Sequence, residues 1–406
     1  MPIEDSVAEP AAAHQPEATV ADVAIVGGGL SGSLAAAVLA RAGCRIVLID
    51  RRAVHPQEFR VEKIGGQQLD ILRRLGFVRE LEAVASPYDH VTNIKAGKIV
   101  DISVGQAYGL PYADLVAMAR SLLPDPSCFV VDRVTSVSSS DDLQQVVLAS
   151  GKRITTRLVI LATGMAGVLG HDLGIKRRVL AERHSVSFGF TIARADDAPF
   201  DFNALTCYGD PASGVDYLSL FPTPGGMRAN LFMFRDPADP IMRDLRRETK
   251  ATLLRLMPGL ERHLGDFHVV DQVQNWVMDL SAVEGHLQPG VVLIGDAFQT
   301  NCPAAGTGVS RLLVDVERLC TEYVPRWLET DGMGSEKISQ FYADGDKVAA
   351  DQRSLHMAYF RQALTSNKDI RWNVQRRLHF FRRRLTHRVD RISPGWVARL
   401  RGALRG

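Results

Sequence analysis

The residues of this chain best spaced for chemistry are glycines. Gly27, Gly29 and Gly32, in "GGGLSG", have the spacing G-x-G-x-x-G, and Asp50 follows about 20 residues on. The first glycine of such a run permits a tight turn, and the second lets backbone approach a pyrophosphate. The third lets a helix pack closely on a strand. Leu30 and Ser31 lie within the turn, before a helix whose amide end faces the phosphates. Asp50, with Arg51 beside it, is placed to take ribose hydroxyls. A second stretch, "GDAFQTNCPAAGTGV" from Gly295 to Val309, holds a single carboxylate, Asp296, and little else that could act as acid or base. So much bare backbone suits a loop that holds a cofactor whose own atoms react.

The elements that must position these residues are legible from periodicity. Val23–Val26 is a short strand, Ser33–Arg41 an Ala/Leu helix, and Cys44–Ile49 a second strand ending at Asp50. This is a βαβ unit of about 30 residues. "QQLDILRRLGF" predicts a helix ending near Gly76. "FVVDRVTSVSSS", "LQQVVLAS" and "RITTRLVILATG" are strand-like, with a hairpin signal at Ser150-Gly151; Val134 lies in the first run and Thr163-Gly164 closes the last. From about residue 181 to 235 longer alternating stretches predict an antiparallel sheet. Nucleotide-binding pieces therefore sit at both ends of the chain, with a sheet inserted between them.

"LVILATG" and "GVVLIGDAFQTNCPAAGTGVSRLLVDV", in that order after the glycine turn, resemble motifs of the aromatic hydroxylase family, the group A FAD-dependent monooxygenases. The resemblance runs over roughly residues 20–365, strong at the three motifs and faint in the inserted sheet. It implies an α/β fold: a Rossmann-like FAD-binding domain, an inserted, mainly antiparallel β-sheet substrate domain and a helical C-terminal tail. The corresponding divisions are 1–20 as a disordered tail, then 21–80, 111–180 and 285–365 as the FAD-binding domain. Residues 81–110 and 181–284 form the substrate domain, and 366–406 a basic amphipathic helical tail. By the same resemblance Asp296, after Gly295, holds the ribityl hydroxyls of FAD, and Val134, Thr163 and Gly164 belong to the cofactor site. Pro303, Gly306, Thr307 and Gly308 run beside the pyrimidine side of the isoalloxazine. The helix from Val309 points its positive end at the flavin N1/O2 region. Arg60 stands where the family often places a flavin-contacting arginine; by itself it reads equally as a solvated surface side chain.

Several positions depart from the family pattern. The Asp-Gly segment tied to FAD and NADPH binding is absent from "ATGMAGVLGHDLG", so electrons come either from NADPH or NADH directly or from a separate flavin reductase. Gln299 replaces the histidine of the usual Gly-Asp motif, and Tyr112 stands where an arginine often precedes the following helix. Cys302 is open to two readings, a flavin-proximal redox thiol or a small packing residue. His184 and His286 are likewise either substrate contacts or structural residues.

The resemblance implies monooxygenation, in which O₂ and reduced flavin form a C4a-hydroperoxide that delivers oxygen to an electron-rich small molecule. No side chain is singled out as catalytic, because the flavin carries the chemistry. Tyr217, Leu218, Leu220, Phe221 and Pro222 are the candidate substrate wall, and equally candidate domain core. Their apolar character favours an aromatic, polyketide-like or isoprenoid substrate for hydroxylation or epoxidation. Two alternatives share the fold. Halogenation needs a lysine, for which Lys95 and Lys98 are candidates, but a Trp-x-Trp-x-Ile-Pro signature is missing. Hydride transfer to a prenyl-type substrate, as a reductase or dehydrogenase, needs no oxygen insertion.

The bulk numbers exclude other classes. A hydrophobic share of 46% and a charged share of 23% suit a soluble globular chain. The five cysteines are odd in number, scattered and never in a CxxC pair, which speaks against a disulfide framework or a zinc site and suits the reducing cytoplasm. Net charge is uneven. Residues 371–406 hold eleven arginines against one acid, Asp390. Val374, Leu378, Phe381, Leu385, Val389 and Ile392 step by three or four, an apolar helical stripe that Trp396, Leu400 and Leu404 resume after Pro394. The first reading is that this stripe packs on the protein's own body or a partner subunit. The second is peripheral contact with an anionic membrane. No recognition module for nucleic acid accompanies the charge.

Overall fold

The computed structural model describes residues 19–165 and 167–392 and arranges them around two sheets. The first has seven strands. Its centre is β1 (Thr19–Val26), flanked in parallel by β2 (Ile46–Asp50) and β3 (Arg153–Leu161). Phe129–Val131 adds to β2 and Val291–Leu293 to β3, both parallel, while an antiparallel hairpin of Val134–Ser138 and Gln144–Leu148 closes the other edge. The register decides where a ligand can lie. Val26 pairs with Ile49 and with Leu161, and Leu161 pairs with Leu293, so these strands end in one row. The segments after them, at Gly27, Asp50, Ala162 and Ile294, therefore emerge along a single carboxyl edge, the place where open α/β sheets bind ligands. Helix α1 (Leu30–Arg41) covers one face with Leu34, Ala35, Ala36 and Leu39, buried against Ile25, Leu48 and Ile160. The strand β1 begins at Thr19, inside the range 1–20 expected as a tail; residues 1–18 lie outside the described residues.

The second sheet has nine strands and is antiparallel except where Ala204–Tyr208 runs beside Ser86–Lys95. Its middle is β4 (Lys176–Arg194), β5 (Val215–Thr223) and β6 (Gly226–Met233). Alternation divides these strands cleanly. Phe188, Leu231 and Leu218 share one row and one face, with Leu220 and Ala229 beside them, and this face packs on Leu245, Leu253 and Leu256 of the helices that follow. The opposite face carries Ser187, Phe232 and Tyr217 in one row, then Asn230 with Ser219, then Arg228 with Phe221. Leu218 and Leu220, expected as substrate wall, are thus core residues. Their period-2 partners Tyr217 and Phe221 lie on the other face, as a one-residue step along a strand demands.

After α2 (Tyr112–Ser121) and α3 (Gly308–Arg318), the chain ends in two long helices, α4 (Gly345–Ser366) and α5 (Ile370–Ile392). Of the two packing partners expected for the apolar stripe of α5, the protein's own body or a partner subunit, the own body does not cover the described side chains. Val374, Leu378, Phe381 and Leu385 are exposed, Phe381 at 63%. The helix docks instead by its polar side, because partly buried acceptors wait there. Arg383 Nη2 donates to Asp101 Oδ1 at 2.8 Å and its Nη1 to Tyr208 Oη at 2.7 Å. Arg376 Nη1 donates to the carbonyls of Leu364 and Asn367 at 2.7 and 2.9 Å. The continuation at Pro394, Trp396, Leu400 and Leu404 lies outside the described residues. Among the described residues no helix is long and apolar enough to cross a membrane.

Candidate functional site

The three motifs meet at the carboxyl edge of the first sheet. Gly27 has φ 106°, and its amide donates to Ile49 O at 2.8 Å. A Cβ at Gly27 would lie 2.4 Å from Ala162 O, and one at Gly32 would lie 1.9 Å from Gly27 O, so neither position admits a side chain. Other glycines of the site border open space. A Cβ at Gly29 would meet only Tyr112 Oη at 4.0 Å, and one at Gly164 or Gly306 would meet nothing within 4 Å. Gly29 is the N-cap of α1 and offers no side-chain cap, leaving the first amides of the helix, at Leu30 and Ser31, for an anion. Thr163 follows Ala162 beside this turn, and Ser31 Oγ lies 3.0 Å from where a Gly295 Cβ would be, which brings the first and third motifs together.

Asp50 stands at the end of β2 as expected, but its carboxylate already has partners. Oδ2 accepts from the Gly28 amide at 2.7 Å and Oδ1 from the Arg52 amide at 2.9 Å. Arg51 is exposed next to it, and the Val134 side chain packs in the core with Val26 and Ile49. Arg120, which the sequence did not single out, completes this corner. Its Nε donates to Gly28 O at 2.8 Å, its Nη1 to Ala53 O at 2.6 Å, and Nη2 lies 3.5 Å from Asp50. Burial lowers its pKa and Asp50 works against that. As one arginine in the last turn of a helix, it carried no local signal.

Tyr112 and Arg60 form the next step along the edge. The Arg60 guanidinium carbon sits 3.8 Å from the centre of the Tyr112 ring, a cation–π stack, so an arginine does reach the place where Tyr112 breaks the family pattern. Burial opposes the charge on Arg60, but Tyr112, Glu62, Asp296 and Glu58 outweigh it and raise its pKa. The segment bearing Arg60 is pinned from the second sheet: Arg228 Nη2 donates to Phe59 O, and Asn230 Nδ2 to Val61 O at 3.2 Å.

The Asp296 carboxylate is held by side chains of the loop and helix that follow it, and its backbone by one from the second sheet. Its Oδ1 accepts from Asn301 Nδ2 at 2.9 Å and lies 3.7 Å from Arg311 Nη2, while no hydrogen bond from the described residues reaches Oδ2. Arg177 on β4 donates to the carbonyls of Asp296 and Ala297, both at 3.0 Å. Behind lies a buried ionic network. Arg311, 1% exposed, meets Asp351 at 3.2 Å and Asp315 at 3.6 Å; Lys347, also 1% exposed, meets Asp315 and Asp351 at 3.0 Å each. Asp315 in turn accepts from the Gly295 amide at 2.9 Å. Two cations are thus shared among three carboxylates, and the third, Asp296, faces outward at 30% side-chain exposure.

The loop from Pro303 to Gly308 turns through Gly306 at φ 65° and opens α3, whose N-cap Thr307 makes no side-chain cap; its hydroxyl instead bonds Ser354 at 2.9 Å. The first amides of α3, at Gly308, Val309 and Ser310, have no partner from a cap. The second sheet reaches this loop through Tyr217, whose Oη donates to Ala304 O at 3.0 Å. Tyr217 packs on Phe232 at 4.8 Å between ring centres. Phe221 lies further along the same face, packed with Tyr88, Ala107 and Ala204, and Pro222 ends the strand half-buried.

The other candidates sort themselves by burial. Cys302 is fully buried among Phe234, Leu280 and Ala358; burial raises its pKa and holds it as a thiol. Gln299 turns away from the open edge and donates to Asp351 O at 3.3 Å. His286 packs edge-on against Phe298 and Tyr342, behind the Gly-Asp turn. His184 is buried between Phe234 and Tyr359, and neither ring nitrogen has a partner among the described residues. Lys98 is exposed at a hairpin tip, whereas Lys95 donates to Gly209 O at 3.2 Å and rests over Phe380 at 4.2 Å.

Comparison with known proteins bears on the family and the fold. A family model described as FAD binding domain matches residues 20–323. The chain is similar to 3-demethoxyubiquinol 3-hydroxylase of Escherichia coli, 25% identical over 73% of this chain and 78% of that protein. It is similar also to digeranylgeranylglycerophospholipid reductase 1 of Methanococcoides burtonii, 23% identical over 79% of this chain and 78% of that protein. Among solved structures, p-nitrophenol 4-monooxygenase PnpA from Pseudomonas putida superposes with a TM-score of 0.71 at 16% identity, over 90% of this chain and 94% of the other. At that identity the likeness is one of fold.

Proposed function

The chain belongs to the FAD binding domain family, and from that premise we propose that it is an FAD-dependent monooxygenase hydroxylating an aromatic ring that bears a phenolic or quinol oxygen. The observation that carries this reading is the loop from Cys302 to Gly308. It lies between the open dinucleotide edge and the Tyr217–Ser219–Phe221 face, and it presents backbone rather than an acid–base pair. The residues fit FAD: an uncapped helix end follows a glycine turn, glycines border open space, and Asp296 keeps one oxygen without a protein donor.

The division of labour follows from chemistry and position. When bound, FAD supplies electron transfer and oxygen activation. The amides of Leu30 and Ser31, with Arg60 on Tyr112, would hold the pyrophosphate, and Asp50 sets the shape of the glycine turn. Asp296 accepts from ribityl hydroxyls, and Asn301 and Arg311 fix its orientation. The uncapped first-turn amides of α3 would stabilise negative charge on a flavin held there, a contribution of about 0.3–1 kcal/mol at an exposed helix end and up to about 2 in a partly buried one. Tyr217 ties the substrate face to the loop, so the two reactants share one rigid frame. Ser219 gives that face a hydroxyl beside Phe221 and Phe232, which suits a phenol or quinol better than a plain hydrocarbon, while Arg228 and Asn230 are engaged with the Phe59 and Val61 carbonyls.

The support from relatives is of the same kind, since the similar Escherichia coli protein is by its name a hydroxylase of 3-demethoxyubiquinol. A reductase reading has one observation in its favour, the equally extensive match to the phospholipid reductase. Labelled O₂ separates the two. The holoenzyme, reduced by NADPH, NADH or an added flavin reductase, is turned over with a panel of phenols and quinols. The proposal expects labelled oxygen in a hydroxylated product; turnover of a prenyl substrate with no label incorporated, and none across the panel, overturns it.

A further inference from the structure

We propose that α5 is an interfacial helix that binds the holoenzyme to an anionic membrane surface. The inference holds whatever reaction the flavin performs. It starts from an inversion: the helix turns its apolar stripe outward. Ile370, Val374, Leu378, Phe381 and Leu385 are 79, 50, 47, 63 and 50% exposed. At about 100° per residue they fall within one sector of about 80°, so they make one continuous ridge.

The opposite side of the helix is occupied. Arg376 and Arg383 lie about 180° from the middle of the ridge, and they are the residues that hold α5 to the body, through Leu364, Asn367, Asp101 and Tyr208. Phe380 packs beside them, 5.1 Å from Tyr208 between ring centres. The helix therefore cannot roll its ridge inward without leaving Arg376 and Arg383 unpaired, a loss that buried charge-assisted bonds make costly. The outward ridge is the docked arrangement.

Charge says what covers the ridge. Arg371 and Arg382 flank it on one side, Arg377 and Arg384 on the other, and from 371 to 406 the sole acid is Asp390. Two copies of this face brought together would set arginine rows against each other, so self-pairing is opposed by the charges that rim it. An apolar ridge between two basic rows matches an anionic bilayer, where the ridge enters the acyl boundary and the arginines meet headgroups. Docking also places the membrane-facing helix near the substrate side. Arg383 holds Tyr208, Tyr208 lies 6.3 Å from Tyr217 between ring centres, and Tyr217 holds the loop at Ala304.

The test uses the full-length, FAD-loaded protein and vesicles of phosphatidylcholine, alone or with about 30 mol % phosphatidylglycerol. Co-sedimentation is expected with the anionic vesicles and is expected to weaken as salt is raised. Leu378→Glu/Phe381→Glu should reduce partitioning at least about tenfold, and Arg371→Gln and Arg382→Gln about fivefold each. Flavin content and melting temperature should be unchanged in these variants, because the altered side chains face outward. Parent protein that stays in the supernatant with anionic vesicles overturns the proposal, as does equal binding by the Glu variant. So does a parent dimer that Phe381→Glu converts to monomer while vesicles capture neither.

Discussion

Helix α3 hides its charges, whereas α5 displays its apolar side chains. In α3 and its neighbour α4, Arg311, Asp315 and Lys347 are almost wholly buried behind Asp296. In α5 the apolar ridge is outward and the arginines Arg376 and Arg383 point in. Both arrangements run against simple hydrophobic burial, and each has a reason. Buried ion pairs are poor sources of net stability but define a unique geometry, and here the geometry defined is the orientation of one carboxylate and one loop. An exposed ridge contributes nothing to folding, so its retention makes sense as a surface for something outside the chain. Where a helix breaks the ordinary rule, the pattern of what it gives up points to what it does.

The contrast can be broken most severely inside the network. Arg311→Met leaves Asp351, Asp315 and Asp296 short of a cation, and losing one partner of a buried pair costs about 3–5 kcal/mol. A large drop in denaturation midpoint together with weakened flavin retention is expected. A variant as stable as the parent, with flavin intact, would mean that the network does not organise the site. A smaller effect concerns His184. Burial holds its pKa below the ordinary value of 6.5, so its neutral form is the folded one. Once pH falls below 6.5 the unfolded chain binds the proton first, and stability is lost as pH falls toward the lowered value. His184→Phe should make stability less dependent on pH between about 7 and 5, with the remaining slope shared by His286 and His379, whose pKa values burial also lowers. An unchanged slope, measured by urea melts across that range, would place the dependence elsewhere. The smallest effect belongs to the ridge: Phe381→Glu should change stability by no more than about 0.5 kcal/mol, as surface substitutions do. A loss of 2 kcal/mol or so would show that the ridge packs on something within the chain.

Local spacing made much of this site legible. The glycine turn, Asp50, the Thr163-Gly164 exit and the Gly-Asp loop lie within short motifs, and the parallel register then aligns them without further instruction. Alternation in Asp216–Phe221 was equally legible, but alternation does not say which face looks at the cofactor, and so Leu218 and Leu220 were grouped with Tyr217 and Phe221. The network behind Asp296 was illegible for a different reason. Arg311 with Asp315, and Lys347 with Asp351, have the i,i+4 spacing common to surface pairs, which marks neither as special; only the packing of α3 on α4, separated by some 30 residues, turns them into one buried cluster. The docking of α5 hid in the same way, since a stripe of apolar residues announces its face but not the acceptors at Asp101 and Tyr208 that outcompete it.

The central claim is that the edge built around Asp296 holds FAD. It is tested most directly by the flavin content of Asp296→Ala, purified alongside the parent and measured by absorbance after denaturation. The expected result is a yellow parent with flavin near one per chain and a variant that folds, as judged by its far-ultraviolet spectrum, yet retains about a tenth or less, the tenfold loss that about 1.4 kcal/mol represents. A folded variant with undiminished flavin would contradict it.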